Sequence, residues 1–422
     1  MKKLTVILII IFQIVAVSCF SACGKTPNNA NTAKLQTIDT YSADIIDKYL
    51  DPIWQTTEMY DEGGVIVGET GEIKLLRKPV KNSVTVRSVH FEETYIEGVD
   101  YIVDGQMIRR IATGNLPYFK YEEYYFDKPY GGSLLECNQN KSEIDYEGVK
   151  YLYYSEGSAG VKNHLMITYR TNDTYTQFIP QGDANAQSFI NKIKTDTSAT
   201  VMFYGDSITA GCCASSTSFG GNENPYLPTW SELVCEWLVK TYQADVTHLN
   251  KAKGGWTTYE GLYYFDDDGN DPKRPERVGP YVNDIDLLVI AFGANDPQLL
   301  EEEYKGQIKG MVNKYLAARP TGSVLLVSPF VFNQQVSNWF YNQKYFEGYL
   351  EEIKAEYAAN GTSSNISVAK VFSFSSGICN TGKRNRDYLG NNLNHPNDFG
   401  VRMYAQVVLK TLCGDEFFPI SK

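Results

Sequence analysis

Hydrophobic and polar positions divide the chain into three stretches with different periods. Residues 4–17 are apolar apart from Thr5 and Gln13, and they follow Lys2 and Lys3. From about 45 to 190 the apolar residues fall in short alternating runs at 64–67, 84–89, 100–103, 106–111, 151–155 and 164–171. Clusters of Gly, Asn and Asp separate these runs, and no long 3.6-residue period intervenes. Many short strands with turn signals between them predict a β-sandwich of jelly-roll type. From about 197 onward the pattern changes. Apolar runs at 199–204, 245–249, 287–292, 323–328 and 366–371 alternate with helical stretches at 230–242, 299–318, 344–359 and 399–412. That alternation predicts a parallel sheet with helices on both faces. The polar run after Pro180-Gln181-Gly182 marks a boundary, with 186–193 as a connecting helix. The expected organisation is an export signal over 1–22, a tether over 23–44, a β-sandwich accessory domain over 45–190 and an α/β domain over 197–420.

Composition narrows the partners. The formal net charge is −11, which disfavours nucleic acid and anionic headgroups and suits a neutral substrate such as a polysaccharide. The 31 tyrosines are first of all strand and core residues, with a sugar-stacking platform as the alternative. The acidic loop 266–271 fails the EF-hand spacing, because Arg277 stands where the bidentate glutamate belongs. No metal or organic cofactor is implied.

The apolar run at 4–17 is short for a membrane span, which needs roughly 20 residues, and fits a signal peptide. Phe20-Ser21-Ala22-Cys23-Gly24 resembles the lipobox of bacterial lipoproteins, with Phe20 where that motif prefers Leu. The resemblance implies lipidation at Cys23, a surface protein anchored to the membrane through lipid alone, and a polar tether behind it. Cys19 is the alternative site. The remaining cysteines show no zinc-type pair. Cys212-Cys213 lies beside the serine discussed next and reads as pocket lining.

Four sites carry chemistry, in a fixed order. Gly205-Asp206-Ser207 follows the first apolar strand of the second half. A loop with Gly254-Gly255-Trp256 follows the second strand, and Gly293-Ala294-Asn295-Asp296 follows the third. Asn392-Leu393-Asn394-His395 precedes the last helix. Each stands at a strand outlet or a helix start, so all four can meet at one edge of the sheet. Attack by a serine hydroxyl on an acyl carbon needs a base for its proton and donors for the oxygen that turns negative. Of the four histidines, only His395 lies on a loop of the second half, where an imidazole can serve as base. The amide of Ser207, a glycine amide and the Asn295 side chain are the candidate donors.

These blocks resemble the SGNH (GDSL) hydrolase superfamily: Gly205-Asp206-Ser207 its first block, Gly255 its glycine block, Gly293-x-Asn295-Asp296 its third and His395 its last. The resemblance covers about residues 197–415. It implies a flavodoxin-like fold and a serine hydrolase acting mostly on esters. Ser207 becomes the nucleophile, His395 the base, and Ser207, Gly255 and Asn295 the oxyanion hole, with Gly254 as a register alternative to Gly255. The family's Asp three residues before the histidine is here Asn392. The ring is then oriented by Asn392, by a backbone carbonyl, or by another carboxylate such as Asp387 or Asp398. The two-part organisation is similar to that of two-domain acetyl esterases of plant polysaccharides, some of which work as a Ser-His dyad, and so implies a dyad here. Trp230, Trp256 and the loop 224–228 are the pocket candidates. The expected function is a carbohydrate esterase removing small acyl groups, acetyl foremost. The alternatives are a lipid, thioester or aryl esterase, and a glycan-binding surface lipoprotein without turnover.

Overall fold

A computed structural model describes residues 33–127, 135–136, 150–266, 277–336, 342–361 and 365–418. The expected signal peptide, Cys23, Cys137 and most of the acidic loop after Asp266 lie outside the described residues. The first half runs α1 (Ile46–Leu50), β1 (Glu58–Gly64), β2 (Glu72–Lys74), β3 (Thr85–Ser88), β4 (Thr94–Tyr95), β5 (Tyr101–Asp104), β6 (Met107–Arg110), α2 (Tyr121–Tyr124), β7 (Tyr125–Phe126), β8 (Leu135–Glu136), β9 (Tyr151–Leu152), α3 (Ser158–Val161) and β10 (Leu165–Arg170). Its strands form antiparallel sheets in the orders β1-β10-β3-β4, β2-β6-β5 and β7-β9-β8.

The first strand ends where the apolar run at 64–67 was predicted to begin. Glu58-Met59-Tyr60-Asp61-Glu62-Gly63-Gly64 hides its strand character behind two buried acids. Asp61 pairs with Arg87 at 3.0 Å, and Glu62 pairs with Lys383 at 2.6 Å, both side chains fully buried. Buried charges persist only when paired in this way.

The second half runs α4 (Gln187–Asp196), β11 (Ser198–Gly205), α5 (Trp230–Tyr242), β12 (Asp245–Asn250), α6 (Thr258–Tyr263), β13 (Leu287–Ala291), α7 (Glu301–Ala318), β14 (Ser323–Val327), α8 (Gln343–Ala359), β15 (Ile366–Ala369), α9 (Val371–Asn380) and α10 (Asp398–Cys413). The strands make one parallel sheet in the order β12-β11-β13-β14-β15. This is the flavodoxin-like order, with its direction of growth reversing between β11 and β13. Val201 to Tyr204, Leu287 to Ile290 and Val324 to Val327 are all buried, as covered parallel strands require. Thr229 caps α5 in a reciprocal box with Glu232, and Asn397 caps α10 by accepting from Gly400 N.

The two halves share one hydrophobic core. A single cluster joins Ile46, Met59, Ile73, Val86 and Tyr169 to Phe203, Leu233, Phe374, Phe399 and Leu409. Polar contacts add to it. The Arg402 guanidinium donates to Tyr49 O at 2.9 Å, and Val65 N donates to Asp387 Oδ1 at 2.8 Å. At Gly63 a Cβ would sit 2.1 Å from Asp387 O, so only glycine permits this approach.

Candidate active site

Ser207 stands one residue beyond the Gly205-Asp206 exit of β11. A Cβ on Gly205 would lie 2.4 Å from Ala291 O, so glycine lets β11 leave the sheet close beside β13. Asp206 ties the first block to the third: Oδ1 accepts from Ile208 N at 3.0 Å and Oδ2 from Ala294 N at 3.2 Å. Burial pushes its carboxyl up to about 7 against those bonds. Ser207 and Asn295 therefore flank the β11/β13 reversal, where open α/β sheets bind ligands.

His395 meets the serine. Its Nε2 lies 2.8 Å from Ser207 Oγ, across 188 positions of sequence. The loop that delivers it is organised by Asn391, whose Oδ1 accepts from the amides of Leu393, Asn394 and His395 at 2.9–3.0 Å. Its Nδ2 donates to Glu156 Oε1 at 3.0 Å. Glu156 supplies the other contact to the imidazole, with Oε2 2.8 Å from His395 Nδ1. Tyr154 OH also donates to this carboxylate. Burial alone would raise the Glu156 carboxyl; the bonds from His395, Tyr154 and Asn391 override it and hold the group below its ordinary value. An ionised Glu156 accepts a hydrogen bond from Nδ1–H, which leaves Nε2 free to accept from the Ser207 hydroxyl.

Asn392 does not orient His395, and this corrects the expectation from spacing. It is left-handed, at φ +64, a conformation that Asn tolerates, and its side chain faces the first half. Its Oδ1 accepts from Tyr124 OH at 2.8 Å and Asn333 Nδ2 at 3.0 Å, and its Nδ2 donates to Tyr153 O at 2.8 Å. Asp387 accepts from Val65 N and Arg384 N, and Asp398 accepts from Ser215 N; both act elsewhere. The dyad expectation gives way to a Ser207–His395–Glu156 chain. Glu156 sits 239 positions from His395 in a polar turn after the apolar run at 151–155, and its only sequence signal was its place at that strand's outlet.

The donor side is assembled from two loops. A Cβ on Gly254 would lie 3.8 Å from Ser207 Cβ, so Gly254 abuts the serine. Gly255 follows at φ +81 in open space. Among the described residues neither glycine amide is taken by a backbone carbonyl. Asn295 Nδ2 donates to Trp256 O at 2.9 Å, joining the two loops; its second N–H is a further donor. Asp296, pushed up to about 6 by burial, accepts from Thr258 N at 3.0 Å and fixes the start of α6.

Trp256 is half-buried and stacks on Tyr264, with centroids 5.2 Å apart, beside the glycine loop. Trp230 is core and not pocket: it is fully buried, stacks on Tyr404 and donates to Ile208 O at 3.2 Å. Cys213 is buried beside Gly390, and burial raises both vicinal thiols, Cys212 to about 12, so neither is a nucleophile at neutral pH. Of the other histidines, His248 bonds Ser231 Oγ, His164 takes a bond from Asn397 and His90 contacts Asn224 O.

Residues 203–403 match the model of the GDSL-like Lipase/Acylhydrolase family. No curated protein matches the chain. Among solved structures, the chain is similar to a two-domain esterase (CEX) active on acetylated mannans, at 22% identity and TM-score 0.40, over 56% of this chain and 54% of that one. It thus spans about half the length of that esterase. It is also similar to Axe2, an acetylxylan esterase from Geobacillus stearothermophilus, at 16% identity and TM-score 0.39 over 53% of this chain and 97% of that one. The lipase/acylhydrolase from Enterococcus faecalis is similar at 18% identity and TM-score 0.35, over 50% and 94% of the two chains.

Proposed function

We propose that residues 203–403, which match the GDSL-like Lipase/Acylhydrolase family model, form a serine ester hydrolase domain that removes small acyl groups, acetyl foremost, from carbohydrate by way of an acyl-enzyme. The observation that carries this reading is the unbroken chain of 2.8 Å contacts from Ser207 through His395 to Glu156. Ser207 Oγ attacks the ester carbonyl carbon as its proton passes to His395 Nε2. The oxygen that turns negative is held by the amides of Ser207 and of Gly254 or Gly255, and by Asn295 Nδ2. The C–O bond to the alcohol then breaks, and Nε2 returns its proton to the leaving oxygen. Water repeats the sequence on acyl-Ser207 and releases the acid. Glu156 keeps Nδ1 protonated throughout and stabilises the transient imidazolium.

One observation supports a neutral alcohol. The net charge of −11 repels anionic substrates. Export and lipid anchoring at Cys23 belong to the same proposal and place the enzyme where polysaccharide is met.

The test is a deacetylation screen on acetylated xylan, mannan and peptidoglycan alongside p-nitrophenyl esters of increasing chain length, with a fluorophosphonate label mapped to its residue. Acetate release from a glycan, fastest turnover on the acetyl ester and label on Ser207 are expected, and Ser207→Ala abolishes all three while the protein stays folded. Activity rising with chain length would transfer the reading to lipid esters. Turnover surviving in Ser207→Ala would end it.

A further inference from the structure

We propose that Phe219 is the platform on which the leaving-group sugar stacks, the residue that makes this hydrolase prefer a carbohydrate alcohol; the inference rests on the carbohydrate reading above. Phe219 is 45% exposed, although its ring stands 6.4 Å from the His395 ring and nearly perpendicular to it, at 81°. The imidazole covers one edge or face and leaves the rest of the ring to solvent.

The loop holds the backbone of this residue. Gly220 N and Asn222 N bond Thr217 Oγ1 and Thr217 O at 2.9 and 2.8 Å. Glu223 N bonds Ser215 O, and Ser215 N bonds Asp398 Oδ1 at the start of α10, both at 2.9 Å. Phe219 O also packs where a Cβ on Gly157 would come within 2.7 Å. Gly157 directly follows Glu156 and is left-handed, at φ +66, so the position is doubly reserved for glycine. The backbone of Phe219 is thereby indexed to the carboxylate, and its ring to the imidazole.

The chemistry says what comes next to that imidazole. Nε2 gives its proton to the leaving oxygen, so that oxygen lies about 3 Å away in the reacting complex. The carbonyl end of the ester is held by the donors on the 254–255 and 295 loops. The alcohol, a pyranose bonded through the leaving oxygen, therefore spreads over the base's end of the site, where Phe219 stands. The C–H face of a pyranose suits the electron-rich face of an aromatic ring, and an exposed ring beside a catalytic base is wasted on a methyl ester or water.

The experiment compares Phe219→Ala and Phe219→Trp with wild type on an acetylated manno- or xylo-oligosaccharide and on p-nitrophenyl acetate. Phe219→Ala is expected to lower the ratio of kcat/KM on the oligosaccharide to that on p-nitrophenyl acetate about tenfold, the loss residing in KM, and Phe219→Trp to restore it. Calorimetric binding of the deacetylated oligosaccharide to Ser207→Ala should weaken by a similar factor when Phe219→Ala is added. An equal fall on both substrates, or an unchanged ratio, would overturn the proposal and leave Phe219 a cover for the imidazole. Hydrolysis of p-nitrophenyl acetate by the wild type with no oligosaccharide deacetylated would instead refute the carbohydrate reading itself, and the platform with it.

Discussion

Replacing Glu156 by Gln tests whether a carboxylate from the first half of the chain completes the catalytic set. The variant keeps the volume and removes the charge. One oxygen then has to choose: Glu156 Oε1 accepts from Asn391 Nδ2 and Tyr154 OH, while Oε2 faces His395 Nδ1. A glutamine that satisfies Asn391 and Tyr154 turns its NH2 toward Nδ1 and forces the imidazole into the wrong tautomer. If it turns its oxygen to Nδ1 instead, it sets N–H groups against those of Asn391. A hydrogen bond to a charged group is worth about 1.5–3 kcal/mol, or roughly 10- to 10²-fold at about 1.4 kcal/mol per decade. The tautomer error raises the loss toward the ~10⁴ seen when a serine protease exchanges its triad Asp for Asn. The Glu156 side chain is 31% exposed, so water softens both effects. We expect kcat to fall about 10²- to 10³-fold with KM within about threefold. The assay is steady-state hydrolysis of p-nitrophenyl acetate, paired with thermal unfolding to show that the variant is folded. Turnover within threefold of wild type would refute the reasoning and return the site to a Ser-His dyad.

Asn392→Ala should separate structure from catalysis in the opposite sense. It breaks three hydrogen bonds, two buried and one part-buried, so denaturant titration should record a loss of about 2–3 kcal/mol, while kcat falls less than about tenfold. Gly160→Ala would place a Cβ 2.4 Å from Ser155 O and 2.5 Å from Gly390 O, prising the Glu156 turn from the His395 loop. Activity should drop at least about tenfold, whereas Gly306→Ala, on α7 with nothing within 4 Å, should stabilise by about 0.5–1 kcal/mol. His164 is held neutral, its value lowered to about 3 chiefly by burial and secondarily by His90. A base depressed in the folded state contributes stability that is complete above its unfolded value of about 6.5 and is lost as pH falls toward 3. His164→Gln should therefore remove a loss of about 1.4 kcal/mol between neutrality and pH 5.5, read as the difference between the two proteins' unfolding free energies. The buried Asp206 and Asp398, raised to about 7 and about 6, act with the opposite sign, which is why the difference is the quantity to measure.

What could be read in the sequence follows from where the physics is local. The strand β13 and the stretches 201–204 of β11 and 324–327 of β14 are apolar without interruption because helices cover both faces, and α5 begins at Trp230 because Thr229 and Glu232 form its capping box. Ser207 and His395 could be found because each sits where a strand ends or a helix starts. The strand β1 escaped because its acids are neutralised by Arg87 and Lys383, residues far along the chain. Glu156 escaped for the same reason: its role is defined by a contact with an imidazole 239 positions away, and its place at a strand outlet does not by itself single it out.

The asparagine at 392 then ceases to be a decayed triad member. Its Nδ2 donates to Tyr153 O, three residues before Glu156, while its Oδ1 draws in Tyr124 OH and Asn333 Nδ2. A carboxylate there would face the Tyr153 carbonyl at about 2.8 Å with no proton between them, a buried repulsion that an amide converts into a bond. The residue that spacing assigns to the imidazole instead ties a segment of the first half, three residues before Glu156, to the second half, and Asn391 beside it holds the imidazole loop and the carboxylate together. Asn392 thus serves the packing of the halves, and Asn391 the alignment of His395 with Glu156.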